Sequence, residues 1–254
     1  MANTDRIDTS LFEGAHYLGK PADFSDKIIS RRVDLTLAVK DFAGKDLEMV
    51  EIGCGNGASM ILMAPYFKSI DGLEYFEGHK DAFEQLKDQY GRDNLSFETK
   101  DIESSSPERQ YDRMISFEVY EHLQHESSIS FYFDILKPGG MAAITVPNKW
   151  WIFETHGANL PLLPWNRVPF FSWLPTFLHE RWANARIYTK GRISRILTNA
   201  GFEIEDIQYI TAPMDVLKEG WLKRFLLKYV FNSPTTKIPF KSTSIFIVVK
   251  KSKG

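Results

Sequence analysis

Met49-Val50-Glu51-Ile52-Gly53-Cys54-Gly55-Asn56-Gly57 is the stretch that decides how this chain folds. A short apolar run carries one acid near its end, and three glycines then fall at every second position. A buried strand looks like this when it runs into a tight loop that lies against a ligand. Glycine alone lets backbone approach that closely and tolerates positive φ. The dinucleotide fingerprint G-x-G-x-x-G also follows a strand, but here the third glycine comes one residue early. The competing interpretation is an ordinary glycine-rich turn between a strand and a helix. The rest of the chain has to decide between them.

A chain of 254 residues is one large domain, or one domain with insertions. Its 43% hydrophobic and 25% charged content describes a soluble globular protein. The single cysteine, Cys54, excludes a disulfide framework and fits a reducing compartment. Its place inside the glycine loop favours packing beside a ligand over nucleophilic chemistry. Met1 to Arg6 lacks the apolar core of a secretory signal, and no apolar run is long enough to span a bilayer. The expected location is cytoplasmic, with peripheral attachment at the inner membrane face as its variant. The net charge of −2 hides an asymmetry: from Val216 onward the one acid, Glu219, stands against Lys218, Lys223, Arg224, Lys228, Lys237, Lys241, Lys250, Lys251 and Lys253. Such an end suits anionic lipid, nucleic acid or a phosphorylated substrate, or is a solvated face.

Strands and helices alternate through the first two thirds. The apolar spacing predicts a helix over Phe24 to Phe42, then a strand Glu48 to Ile52, a helix Ala58 to Tyr66 and a strand Ser69 to Leu73 ending at Glu74. A helix Gly78 to Tyr90 follows, closed by Gly91, then strands Leu95 to Glu98 and Asp112 to Phe117. A helix Ser127 to Leu136 stops at Lys137-Pro138-Gly139-Gly140, and Met141 to Val146 is a fifth strand. Residues 150–186 are rich in proline and aromatics and read as neither regular helix nor strand: an insertion over the sheet's carboxyl edge, on the substrate side. A helix Thr189 to Ala200, a strand Phe202 to Ile210 and a last strand Ser242 to Lys250 complete the pattern, with a basic amphipathic insertion over 212–241. Alternation with nearly continuous apolar strands predicts a single α/β domain whose mostly parallel sheet is covered by helices on both faces.

Several segments fall in an order that resembles the class I S-adenosylmethionine-dependent methyltransferases. They are Glu51 with Gly53, Gly55 and Gly57; Glu74 at the end of the second strand; Asp101-Ile102; Phe117-Glu118-Val119-Tyr120-Glu121-His122-Leu123; Leu136-Lys137-Pro138-Gly139-Gly140; and Tyr188-Thr189 leading to Ala200-Gly201-Phe202. The match runs from about Phe24 to Ile210 and includes the last strand. The resemblance implies a Rossmann-like seven-stranded sheet, its last strand antiparallel. It implies S-adenosylmethionine across the carboxyl ends of the first strands, at the switch in strand order. Gly53, Cys54, Gly55 and Gly57 would touch the methionine part, whose carboxylate would face the helix starting near Ala58. Glu51 would aim at the same region, toward the amino group. Glu74 would accept from two ribose hydroxyls, which a carboxylate can do at once, with Tyr75 beside it. Asp101 and Ile102 would flank the adenine, and Phe117 and Glu118 would complete the pocket. Tyr17 either closes over the site or packs.

Methyl transfer from a sulfonium to oxygen or nitrogen is an in-line displacement, so the protein mainly aligns the acceptor and removes water. A hydroxyl acceptor gains from a base, and His122 and His156 are the candidates because histidine titrates near neutrality. The alternative for His122 is a supporting role beside the cofactor loop. Glu118, Glu121 and His122 also spell E-x-x-E-H, which resembles a metal-binding segment of quinone-biosynthesis O-methyltransferases and small-RNA 2′-O-methyltransferases. There a distant histidine completes the site, and His156 or His179 would do so here. The metal-free interpretation is preferred over this divalent metal.

After the fifth strand, Pro147-Asn148 followed by Glu154-Thr155-His156 and Leu160-Pro161-Leu162-Leu163-Pro164-Trp165 resembles methyltransferases of surface-polysaccharide and glycolipid clusters. The implied activity is O-methylation of a small-molecule, glycan or lipid-linked acceptor. Trp150, Trp151, Trp165, Phe170, Phe171 and Trp173 would stack on sugars, wall a pocket, form an ordinary lid or dip into a membrane interface. Segments 160–175 and 218–230 are the expected membrane contacts. Nucleic acid is disfavoured, since pI is near 6.3 and no RNA-binding module is visible. The rival of another class is a non-catalytic partner subunit with the same fold.

Overall fold

The computed structural model describes residues 27–160, 163–165, 169–214 and 217–252. Tyr17 and the side chain of Trp165 lie outside what is described. The elements run α1 (Lys27–Leu37), β1 (Gly44–Ile52), α2 (Ala58–Met63), β2 (Phe67–Glu74), α3 (Lys80–Tyr90), β3 (Leu95–Thr99), β4 (Tyr111–Phe117), α4 (Ile129–Asp134) and β5 (Leu136–Pro147). Then come β6 (Ala158–Leu160), β7 (Leu163–Trp165), α5 (Thr176–His179), α6 (Lys190–Asn199), β8 (Phe202–Thr211), α7 (Trp221–Tyr229), β9 (Thr235–Thr236) and β10 (Ser242–Lys251).

The main sheet has the order β3-β2-β1-β4-β5-β10-β8-β9. Pairing is parallel from β3 through β5, and β10 runs antiparallel to both neighbours. The expected seven strands are all present. The eighth is the two-residue β9, which adds Thr235 and Thr236 to the edge of β8. Successive strand residues face opposite sides, and both sides are dry. On β10, Ile245, Ile247 and Val249 join one buried cluster with Ile129, Tyr132, Ile193 and Leu197 of α4 and α6. Phe246 and Val248 join the other, with Val33, Met60, Ile61 and Phe83 of α1, α2 and α3. Two covered faces explain why these strands read as apolar runs with little alternation.

Three local differences from the sequence-based expectation have simple causes. The first helix ends at Leu37 rather than Phe42: the next bonds, Val39 N–H to Thr36 O and Phe42 N–H to Val39 O, are of the tighter i→i−3 kind, and Asp41 takes a left-handed φ of 59° ahead of the buried Phe42. The Lys137–Gly140 turn lies inside β5, where it absorbs a register shift: Leu136 pairs with Tyr111 and Met141 with Arg113. Residues 150–186 are more regular than expected, because Ala158–Leu160 and Leu163–Trp165 pair as an antiparallel hairpin and Thr176–His179 makes one helical turn. A proline within a two-stranded ribbon costs no ladder bond when its missing N–H faces outward, which hides such a hairpin from pattern reading.

Both insertions leave the same edge. Residues 148–186 follow the carboxyl end of β5, and 212–241 lie between the carboxyl end of β8 and the start of the antiparallel β10. They meet in a satellite cluster of Trp151, Ala212 and Met214, against which Ile152, Phe153, Leu226, Leu227 and Phe231 pack.

Candidate functional site

The strand order reverses between β1 and β4, and open α/β sheets bind ligands at such a switch point, outside the carboxyl ends. Gly53, Gly55 and Gly57 all have positive φ, at 71°, 53° and 77°. Two of them are glycine because the fold is tight there: a Cβ would come within 2.3 Å of Val119 at Gly53 and 2.5 Å of Phe83 at Gly57. Gly55 is different: among the described residues, nothing lies within 4 Å of where its Cβ would stand. The middle of the loop therefore faces open space, while its ends are pinned.

Glu74 ties the loop to β2. One carboxylate oxygen accepts from the Gly55 N–H at 2.8 Å and the other from the Phe76 N–H at 3.0 Å. Each oxygen keeps a second lone pair for an incoming hydroxyl. Tyr75, next to it, is exposed. Glu51 lies beneath the loop, 2% exposed. Ser59 Oγ donates to Oε1 at 2.6 Å, while Oε2 has no hydrogen-bond partner among the described residues. Burial pushes this carboxyl up to about 8, with the nearby Glu74 charge adding to it against the Ser59 bond. A buried, half-satisfied carboxylate is costly, and its orphan oxygen suits a ligand that brings a cation. Burial also pushes the Cys54 thiol far up, so it stays protonated, and its sulfur fills the space over Gly72.

Beyond β2, after the end of β3, Asp101 is exposed and accepts from the Glu103 N–H at 2.9 Å and the Ser104 hydroxyl at 2.7 Å, capping its own loop; Ile102 is buried in the core. Phe117 packs against the cluster under α1 and α2. The segment after it does not bring Glu118, Glu121 and His122 together on a helical turn. Glu118 takes a φ of 58° and turns back to Arg32 at 3.2 Å, and Tyr120–His122 is a single 3₁₀ turn. What converges is Glu121, His122 and His156, with one ligand-type atom from each lying within 4.8 Å of the others. His156 Nε2 is 3.5 Å from Glu121 Oε1, His122 Nε2 is 4.0 Å from it, and the two imidazoles meet edge to face at 5.0 Å. Among the described residues, neither Glu121 oxygen has a hydrogen-bond donor. Burial raises the Glu121 carboxyl well above its usual range, with Glu118 adding to the shift. Burial lowers both imidazoles, His122 to about 3 with help from His156 and Arg186. Burial thus favours the neutral form of all three groups. Its two histidines keep an open edge, with 22% and 18% of their side chains exposed.

His179 does not join this cluster. It pairs with Glu154 at 2.7 Å, both fully buried, and Glu154 also accepts from the His156 N–H at 3.1 Å. Glu154 is thus the residue that holds His156 in place, a role no pattern in the sequence signals. Arg186 escapes sequence reasoning for the same reason. It donates to the Leu123 and Gln124 carbonyls, and its own N–H donates to Glu121 O at 3.1 Å, so it fixes the acidic turn from more than sixty residues away. Ser59, in the first turn of α2, is the third partner that carries no signal in the sequence.

A family model described as a methyltransferase domain matches residues 23–207. A probable S-adenosylmethionine-dependent methyltransferase of Mycolicibacterium smegmatis is 29% identical over 165 residues, which is 65% of this chain and 54% of that protein. Malonyl-[acyl-carrier protein] O-methyltransferase 2 of Ilyobacter polytropus is 29% identical over 108 residues, 42% of this chain and 41% of that protein. The chain thus spans about half the length of the first of these relatives and less of the second. Among solved structures, the [4+2]-cyclase SpnF matches with a TM-score of 0.62 at 16% identity, over 93% of this chain and 85% of that one. That likeness concerns the fold alone.

Proposed function

The chain belongs to the methyltransferase-domain family, and from that premise we propose that it moves a methyl group from S-adenosylmethionine to an acceptor hydroxyl. The observation that carries this is the pairing of an open-faced Gly55 with the orphaned Glu51 oxygen beneath the same loop. Glu51 would meet the ammonium, the Gly53–Gly57 backbone the methionine part, Glu74 the ribose, and Tyr75, Asp101, Ile102, Phe117 and Glu118 the remaining wall. When bound, S-adenosylmethionine supplies a methyl already activated on sulfur. The chain's own work is to orient the acceptor, exclude water and take a proton. His156 suits the role of proton acceptor in the tautomer whose Nδ1–H donates to Thr155 Oγ1 at 3.0 Å, which leaves the lone pair on Nε2. Neutral imidazole is the form that accepts.

The acceptor we propose is a small-molecule, glycan or lipid-linked hydroxyl, reached through the cap made by 150–186 and 212–241. One relative carries O-methyltransferase in its name, which is in keeping with oxygen. The test is calorimetry with S-adenosylmethionine, followed by mass spectrometry of a cell extract incubated with methyl-labelled cofactor. Heat and a labelled hydroxyl product are expected; heat without any labelled product would leave a binding subunit. Because a cyclase shares the fold, product detection is the deciding arm.

A metal-assisted variant of this chemistry has support of its own. Glu121, His122 and His156 offer a carboxylate and two imidazoles in a group compact enough to hold a divalent cation. Such a cation would lower the pKa of a coordinated acceptor hydroxyl. Without it, the same residues serve as base and support.

Glu51 should make stability depend on pH. Its folded value of about 8 lies above its ordinary 4.5, so the folded chain holds a proton there that the unfolded chain releases. Its contribution to apo stability is full below the ordinary value and is lost as pH rises through about 8. Glu51→Gln is expected to remove that slope, so its Tm gains on the wild type between pH 5 and pH 8. An ammonium at Glu51 requires the ionised carboxylate. Wild-type affinity for S-adenosylmethionine should therefore rise by up to about tenfold per pH unit below pH 8, and the variant should bind weakly with a flatter profile. Equal slopes in both proteins would remove Glu51 from the site.

A further inference from the structure

We propose that α7 docks this protein on an anionic lipid surface. The helix has two apolar sides, and the fold uses one. Leu226 and Leu227 pack inward against the Trp151–Ala212–Met214 cluster. Trp221, Phe225 and Tyr229, at successive i, i+4 positions, face solvent at 74%, 50% and 61% exposure, with Leu222 beside them. Scattered exposed aromatics need no explanation. Three on one stripe of a nine-residue helix, with Phe225 and Tyr229 in ring contact at 5.0 Å, are a surface.

Charge selects the partner. Arg224 and Lys228 are exposed and sit along one flank of the stripe, with Lys228 Nζ 5.2 Å from the Tyr229 ring centre. Across 212–241 the bases are Lys218, Lys223, Arg224, Lys228, Lys237 and Lys241, and the acids are Asp215 and Glu219. Glu219 is taken up by Lys223. A protein partner would need an acidic rim around an apolar groove. A bilayer of anionic lipid offers both features everywhere, with headgroups for the bases and an interface in which Trp and Tyr rest favourably. Nucleic acid matches the charge but has nothing to gain from Leu222 or from the exposed Ile238 farther along the same segment.

The stripe does not stand alone. Phe240, exposed and ahead of β10, touches Trp173 at 5.5 Å and Trp150 at 6.0 Å, and Trp173 touches Phe170 at 4.9 Å. The two insertions thus share exposed aromatics at the sheet edge that carries Gly53–Gly57 and Glu74. Docking here would set the open side of the protein toward the membrane. This surface owes nothing to methyl transfer, so vesicle binding and cofactor binding are read separately.

The experiment uses the full chain with vesicles of phosphatidylcholine alone and of equal parts phosphatidylcholine and phosphatidylglycerol. Co-sedimentation with the anionic vesicles is expected, falling at least about tenfold as salt rises from about 0.05 M to about 0.5 M. The triple variant Trp221→Ser, Phe225→Ser, Tyr229→Ser should lose it while keeping its Tm and its heat with S-adenosylmethionine. Arg224→Glu with Lys228→Glu should weaken it at least about tenfold. Brominated lipid should quench wild-type fluorescence more than that of Trp221→Phe. Three results overturn the proposal: no binding to either vesicle; binding that survives the triple serine variant; or a stripe occupied instead by a second copy or by an RNA oligonucleotide, seen as a dimer or an RNA complex that the triple variant abolishes.

Discussion

Gly55→Arg is expected to abolish S-adenosylmethionine binding, raising Kd at least about a hundredfold, and to leave the fold standing. Fold and ligand usually fail together at a glycine loop, and here they separate. At Gly53 and Gly57 any side chain strikes Val119 or Phe83, so a variant there tests packing. At Gly55 none of the described residues stands within 4 Å of where a Cβ would be, and its N–H can still donate to Glu74. The cost to the fold is the left-handed φ of 53°, about 1–2 kcal/mol for a non-glycine residue. That corresponds to roughly a few degrees of Tm in a chain of this size. The new side chain lies where the ligand would, and its charge opposes the ammonium and sulfonium. Calorimetry and thermal unfolding on one preparation decide it. Wild-type affinity in the variant would move the ligand away from this loop and take the proposed activity with it.

The succession of strands along the chain is legible because the strands are dry on both faces and the breaks between them carry glycine, proline or polar residues. Val50 and Met49 face opposite clusters, which is why Met49–Ile52 reads as one apolar run and not as alternation. The loop is legible because positive φ leaves a mark in sequence, as glycine at 53, 55 and 57. Backbone demands are written locally, but side-chain partners are not. Glu118 belongs by spacing to the Glu121–His122 group, yet it pairs with Arg32 of α1, and His156 takes the third place in the cluster. His179 and His156 are equal candidates by sequence, and Glu154 separates them by binding one ring and the other's backbone. Arg186 and Ser59 carry no periodic signal at all, since their partners are set by how the sheet edge closes. The 158–165 hairpin is hidden because its strands contain the proline and short apolar runs that usually mark loops.

His156→Ala should lower kcat by about a hundred- to ten-thousandfold, the usual worth of a positioned base, with the Kd for S-adenosylmethionine unchanged. The residue sits in the insertion, and its neighbours are Glu154, Thr155, Glu121 and His122, none of them in the glycine loop. Its loss should therefore spare cofactor binding. A cation-binding role predicts the same loss of rate, so the variant needs a companion experiment. Treatment with chelator and dialysis should leave the wild-type rate intact if His156 is a base. It should cut the rate if Glu121, His122 and His156 hold a cation. Titration with a divalent metal should then give heat in the wild type that His122→Ala, Glu121→Gln and His156→Ala each remove. The two outcomes also differ in how the variants rank. A base makes His156 dominant and Glu121 secondary, whereas a cation makes the three nearly equivalent. An unchanged kcat in His156→Ala would sink both, and would leave the buried Glu121 carboxyl, with neither oxygen given a donor by the described residues, as the remaining reason to look for chemistry at this turn.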